Sequence, residues 1–152
     1  MHVVHSENRK PHEMGVSIAS RWPIQGVEEL VADSDRHTIL LGDLDAEPDS
    51  ASVRFLRGLQ SLEGMSVCYQ DAWERVHPGQ PGPTYTSRNA LQAAGAHDWP
   101  FSQIDHILVR CGARSQPTLD IAACELAFDE PVDGAWASDH IGVLADLVVL
   151  GT

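Results

Sequence analysis

Apolar positions fall in short runs along this chain, and their spacing alternates between strand-like and helix-like. Residues 16–19, "VSIA", read as a short strand, and Pro23 closes the segment after it. Residues 26–33, "GVEELVAD", place Val27, Leu30 and Val31 on one helical face. Residues 37–42 read as a buried strand ending at Gly42. Pro48, Asp49 and Ser50 then open a helix, with Ser50 as its N-cap. Val53, Leu56 and Leu59 give that helix an apolar stripe, widened by Phe55 and Leu62. A short helix is expected over Asp71–Val76, then a Pro/Gly turn region, then a short strand over Thr84–Ser87. Residues 88–102 lack periodicity and read as a loop. Three further β segments follow, at 103–110, 118–128 and 140–150. Strands interleaved with helices predict an α/β or α+β layered fold.

Composition narrows the picture. A chain of 152 residues has the size of one domain, spanning 1–152, and 43% hydrophobic residues are enough for a sizeable core. The net charge of -12 and pI of about 4.8 argue against attachment to DNA or anionic lipid by general electrostatics. They do not exclude a phosphate-bearing substrate, because a bound divalent cation reverses the local field. Three cysteines, Cys68, Cys111 and Cys124, form no CxxC pair and read as core or edge thiols of a reducing compartment. The chain has no apolar run of about 18 residues and its first residues lack the basic start and apolar stretch of a signal peptide, so the expectation is a cytoplasmic protein with no membrane span.

The chemistry gathers at strand ends. The strand at 37–42 runs into Asp43, Asp45 and Glu47; Asp105 interrupts an apolar strand; Asp139 and His140 open the last one, preceded by Ser138. Each alone is an ordinary turn residue. Brought to one pocket, they would supply hard oxygen ligands for Mg²⁺ and a carboxylate-oriented imidazole, which phosphoester hydrolysis needs. If the motifs were coincidence in a small α/β domain, Asp43, Asp105 and His140 would lie far apart.

The strings "GDLDAEPDS", "QIDHILV" and "SDHIGVLADL", in that order, resemble the C-terminal half of the endonuclease/exonuclease/phosphatase superfamily. "GVSIASRWPI" resembles a strand of that family's N-terminal half. The resemblance implies a partial four-layer α/β sandwich with mixed sheets, and hydrolysis of a phosphodiester or phosphomonoester with Mg²⁺ or Mn²⁺. It implies that Asp43 orients or deprotonates the attacking water and that Asp105 holds the catalytic histidine. It makes Asp139 a metal-associated acid, with Asp43 beside it, and His140 the group that touches the phosphate or acts as acid/base. Asp45 stands where the family has an asparagine that hydrogen-bonds the scissile phosphate, and an ionised carboxylate cannot donate. The substrate, whether nucleic acid, phospholipid or a small phosphoester, is not readable from these motifs.

Two family segments have no counterpart: the "QE" segment with the principal metal-binding glutamate, and a strand ending in histidine between "SRWPI" and "GD". A truncated family domain is therefore expected, and because one sheet face loses its partner, self-association or marginal stability with it. The competing reading is a degenerate member without hydrolytic activity that acts as a binding module or is a gene remnant. Trp22, Trp73, Trp99 and Trp136 read as packing residues, His106 as structural, and Thr84, Arg88 and Asn89 as weak candidates for substrate contact.

Overall fold

The computed structural model describes residues 2–5, 17–20, 37–93 and 102–149, the first two segments by their backbone. The readings on 26–33, Trp22 and Trp99 lie outside these residues. The chain forms two compact units, Met1–Asp35 and Arg36–Thr152. In the first, strand β1 (His2–His5) pairs antiparallel with β2 (Ser17–Ser20), with His2 opposite Ser20 and His5 opposite Ser17. β2 lies one residue on from the segment expected at 16–19. β1 was not anticipated, although its central Val3 and Val4 are good strand formers.

The second unit carries two antiparallel sheets. Strand β3 (Ile39–Asp43) and β4 (Tyr69–Asp71) flank β5 (Asp105–Arg110), in the order β3-β5-β4. Strands β6 (Leu119–Ala127) and β7 (Gly142–Val149) form the other sheet. Every strand pairing among the described residues is antiparallel. The strands and few helices are compatible with an α/β fold of the expected kind.

Helix α1 (Ala51–Leu56) starts as anticipated, with the Ser50 hydroxyl accepting the Val53 N–H at 3.3 Å. It ends sooner than its stripe suggests. Gly58 takes φ +75°, the Gly58 N–H reaches the Phe55 carbonyl, and the Leu59 N–H reaches the Arg54 carbonyl. This paired closure ends helices at a left-handed glycine. Val53 is fully buried, whereas Leu59 and Leu62 fall beyond the helix and stand exposed. Asp71 closes β4 and at once caps helix α2 (Ala72–Val76), accepting the Glu74 N–H at 3.0 Å. Helix α3 (Ala90–Ala93) sits inside the segment expected to be loop. The expected strand at Thr84–Ser87 is only an isolated bridge between Tyr85 and Ser102.

The core joins Ala72 of α2, Val109 of β5, and Leu119, Ile121 and Cys124 of β6. β6 alternates inward at Leu119 and Ile121, then a bulge between Ile121 and Ala123 changes the phase and turns Cys124 inward. Trp73 and Val76 pack against this cluster, and the Trp73 indole donates to the Gln80 carbonyl at 2.9 Å.

Candidate active site

The site grows from the register of β3 and β5. Asp43 lies directly opposite Asp105. The Leu44 N–H bonds the Ile104 carbonyl at 2.9 Å, which makes Asp43–Asp105 the non-hydrogen-bonded kind of pair. In such pairs the side chains come closest, and two like charges there oppose folding. Gly42, just before, has φ +137°, a conformation that residues with a Cβ rarely adopt. The backbone thus needs glycine at the step that delivers Asp43.

His140 arrives from the segment before β7. Its Nδ1 lies 2.9 Å from Asp105 Oδ2, and both side chains are about one-fifth exposed. A carboxylate only accepts, so Nδ1 carries the hydrogen and Nε2 is left for proton transfer or contact with a substrate oxygen. The Tyr85 ring meets the His140 ring edge-on, with centroids 5.5 Å apart. Donor atoms of Asp43, Asp105 and His140 all lie within 4.8 Å of one another. The three residues that sequence reasoning took from separate strands therefore converge, and the coincidence reading loses its ground.

The other two candidates are placed differently. Asp45 is exposed in a left-handed conformation, φ 52°, and its backbone N–H donates to Asp43 Oδ1 at 2.9 Å. Its backbone orients Asp43. Asp139 is outside the three-residue group. Its carboxylate accepts from Gln92 Nε2 at 3.1 Å and from the Ser138 hydroxyl at 3.3 Å.

Behind the site stands a support that the motifs do not show. The fully buried Thr84 uses its hydroxyl oxygen to accept both the Ile104 and Asp105 N–H groups at 3.1 Å, and its carbonyl accepts the Ile141 N–H at 2.7 Å. One residue thus ties the start of β5 to the segment bearing His140. The fully buried Asn89 donates from Nδ2 to the Ser138 carbonyl at 2.8 Å and accepts the Leu91 N–H at 3.0 Å. Thr84 and Asn89 are therefore spent on positioning, and the reading that they touch substrate is corrected by their complete burial. Arg88 is exposed.

A second buried chain fixes the turn after Asp43. His106, on the face opposite Asp105, has Nδ1 2.9 Å from Asp71 Oδ2 and Nε2 2.9 Å from the Ala46 carbonyl. Either neutral tautomer satisfies one of these contacts; the doubly protonated ring satisfies both. The Gln103 amide lies 3.3 Å from the same Nδ1 and closes that side. Burial alone would raise the Asp71 carboxyl. Hydrogen bonds from His106 and the Glu74 N–H, with the charges of His106 and Arg57, more than offset it and hold the group below its ordinary 3.8. His106 is structural, as expected, and its partner Asp71 could be suspected from sequence only as a helix cap.

The two carboxylates, Asp43 and Asp105, suit a hard divalent cation better than a soft one. The fit also has a physical motive, because a cation between Asp43 and Asp105 removes the repulsion that the register imposes. The segment leading to Asp139 carries Phe128, Asp129, Glu130, Val132, Ala135, Trp136 and Ala137, which line an open groove of about 530 Å³. No helix among the described residues is long and apolar enough to cross a membrane.

Comparison with known proteins agrees with this geometry. Neither curated proteins nor solved structures gave a match. The sequence profile of the Endonuclease/Exonuclease/phosphatase family matches residues 2–140, which reach into both compact units, stop before β7 and include Asp43, Asp105 and His140. Divalent-metal-dependent phosphoester hydrolysis is the chemistry of that family. The chain belongs to the endonuclease/exonuclease/phosphatase family.

Proposed function

We propose that this chain is a metal-dependent phosphoesterase whose hydrolytic centre is formed by Asp43, Asp105 and His140. The observation that carries the reading is the convergence of their donor atoms within 4.8 Å. Asp43 and Asp105, with Asp139 next to His140 in the chain, would hold Mg²⁺ or Mn²⁺. The cation would supply charge neutralisation at the phosphoryl oxygens and a more acidic bound water.

The chain's own residues account for the rest. Asp43, held by the Asp45 N–H, accepts a proton from a water in line with the scissile bond. Asp105 fixes the His140 ring through Nδ1, and Nε2 is free to bond a phosphoryl oxygen or to protonate the leaving oxygen. The Asp45 side chain replaces the family's amide donor and contributes little to phosphate binding while ionised. Residues 1–152 are read as a single, truncated family domain. Exposed apolar residues on β3 (Leu41) and on β7 (Leu144, Val148) support association between copies.

Two observations favour the alternative of a family member with little hydrolytic activity: the carboxylate at Asp45 and the position of Asp139 outside the three-residue group. Hydrolysis of bis(p-nitrophenyl) phosphate with Mg²⁺ separates the readings. Asp43→Ala and His140→Ala should each lower the rate by about 10²–10⁴-fold, the usual worth of a positioned acid or base. A rate that neither substitution changes, or no rate in the parent chain, would sink the hydrolase reading.

A further inference from the structure

Cys68 immediately precedes β4 and Cys111 immediately follows β5. The register of these strands sets Tyr69 opposite Arg110, Gln70 opposite Val109 and Asp71 opposite Leu108. One step further sets Cys68 opposite Cys111, and the Cys111 N–H indeed bonds the Cys68 carbonyl at 2.8 Å. Residues paired this way lie about 5.5 Å apart at Cα, inside the roughly 4.4–6.8 Å range that disulfides span. Both thiols are partly exposed and reduced, and Cys68 lies near enough to help raise the Cys111 thiol. Cys124, by contrast, is buried in the core. No CxxC spacing announces the pair, because strand register brings it together.

We infer that Cys68 and Cys111 form a reversible dithiol/disulfide site that low-molecular-weight disulfides oxidise. Disulfides in reducing compartments are usually transient and redox-sensing, so closure is expected only under oxidising stress. The inference does not depend on hydrolytic activity. Burial, the hydrogen bond with Cys68 and the Cys68 charge push the Cys111 thiol up to about 12, so it remains protonated at neutral pH. Either thiol can open the exchange, as here for Cys68. Its thiolate displaces one thiolate from glutathione disulfide and leaves a mixed disulfide on Cys68. Cys111 then gives up its proton and attacks the Cys68 sulfur, and the second glutathione thiolate leaves. Two protein thiols are oxidised and one glutathione disulfide is reduced to two thiols. The new bond would close the loop that contains α2, Thr84, Asn89, Gln92 and Asp105, the segment that supports the site.

The folded chain is incubated in glutathione buffers of graded potential, quenched with iodoacetamide and analysed by intact mass and peptide mapping. The expected product has lost two hydrogens, carries a Cys68–Cys111 crosslink that dithiothreitol reverses, and melts about 5–10 °C higher. Cys111→Ser should accumulate a stable glutathione adduct at Cys68. Cys68→Ser should stop likewise at an adduct on Cys111, and Cys124→Ser should crosslink like the parent. A crosslink that forms no faster in the folded chain than in urea would overturn the inference. So would a parent chain that stops at glutathione adducts, or a crosslink through Cys124.

Discussion

Replacing His106 by alanine tests the buried support directly. The His106 side chain has no exposure and that of Asp71 is 4% exposed, so water cannot compensate for a lost partner. The substitution strands the Asp71 carboxylate without its main donor and leaves the Ala46 carbonyl unpaired. Removing one member of a buried charge pair typically costs about 3–5 kcal/mol, most of it from the charge left behind. We expect a loss of that size for His106→Ala, measured by urea unfolding followed through tryptophan fluorescence and circular dichroism. Trp73 is a suitable reporter, since it lies in the helix that Asp71 caps and its indole packs on the core. Asp71→Asn keeps an oxygen to cap the Glu74 N–H while removing the charge. In the double variant the two losses should not add, and the cycle should give a coupling of about 1–3 kcal/mol. A loss below about 1 kcal/mol for His106→Ala, or full additivity, would refute the reasoning.

Other consequences follow from the same structure. Since the Asp71 pKa is lowered in the folded state, its contribution is complete above its unfolded value near 3.8 and disappears as pH falls through the folded value. The acid limb of the stability curve should therefore be flatter for Asp71→Asn than for the parent below about pH 4, by urea titration at each pH. Thr84→Val preserves shape but removes the acceptor for the Ile104 and Asp105 N–H groups; it should destabilise by about 1–3 kcal/mol and lower phosphodiester hydrolysis, read by thermal melting and initial rates. Gly58→Ala meets φ +75° and places a Cβ 2.9 Å from the Val67 carbonyl oxygen, so the melting temperature should fall by an amount equal to about 1–3 kcal/mol.

The parts of the site legible in the sequence were those whose signal is local. Gly42–Asp43 marks a strand end that needs a glycine backbone, Asp105 is a charge inside an apolar strand, and Asp139–His140 opens another strand. Each strand could be located by its own hydrophobic pattern, and the family order of the motifs implied that they meet. The support behind them was not legible. Thr84, Asn89 and Gln92 act through hydrogen bonds to residues far along the chain, and a buried threonine looks in sequence like any strand or turn threonine. Asp71 illustrates the same limit, being read as a helix start while its other oxygen serves His106. The overlong helix after Ser50 failed for a different reason. The three-residue spacing of Val53, Leu56 and Leu59 runs past Gly58, whose left-handed backbone ends the helix. The Cys68–Cys111 pairing depends on strand register, which single-chain patterning leaves open.

Asp43 and Asp105 are proposed to share a cation across the β3–β5 register in order to hydrolyse a phosphoester. The measurement that addresses this most directly is the initial rate of bis(p-nitrophenyl) phosphate hydrolysis as Mg²⁺ is returned to chelator-treated protein, for the parent chain, Asp43→Asn and Asp105→Asn. Saturable activation is expected in the parent, and loss of that activation in both variants, with their folds intact by circular dichroism. Hydrolysis indifferent to Mg²⁺, or activation that survives in both variants, would contradict it.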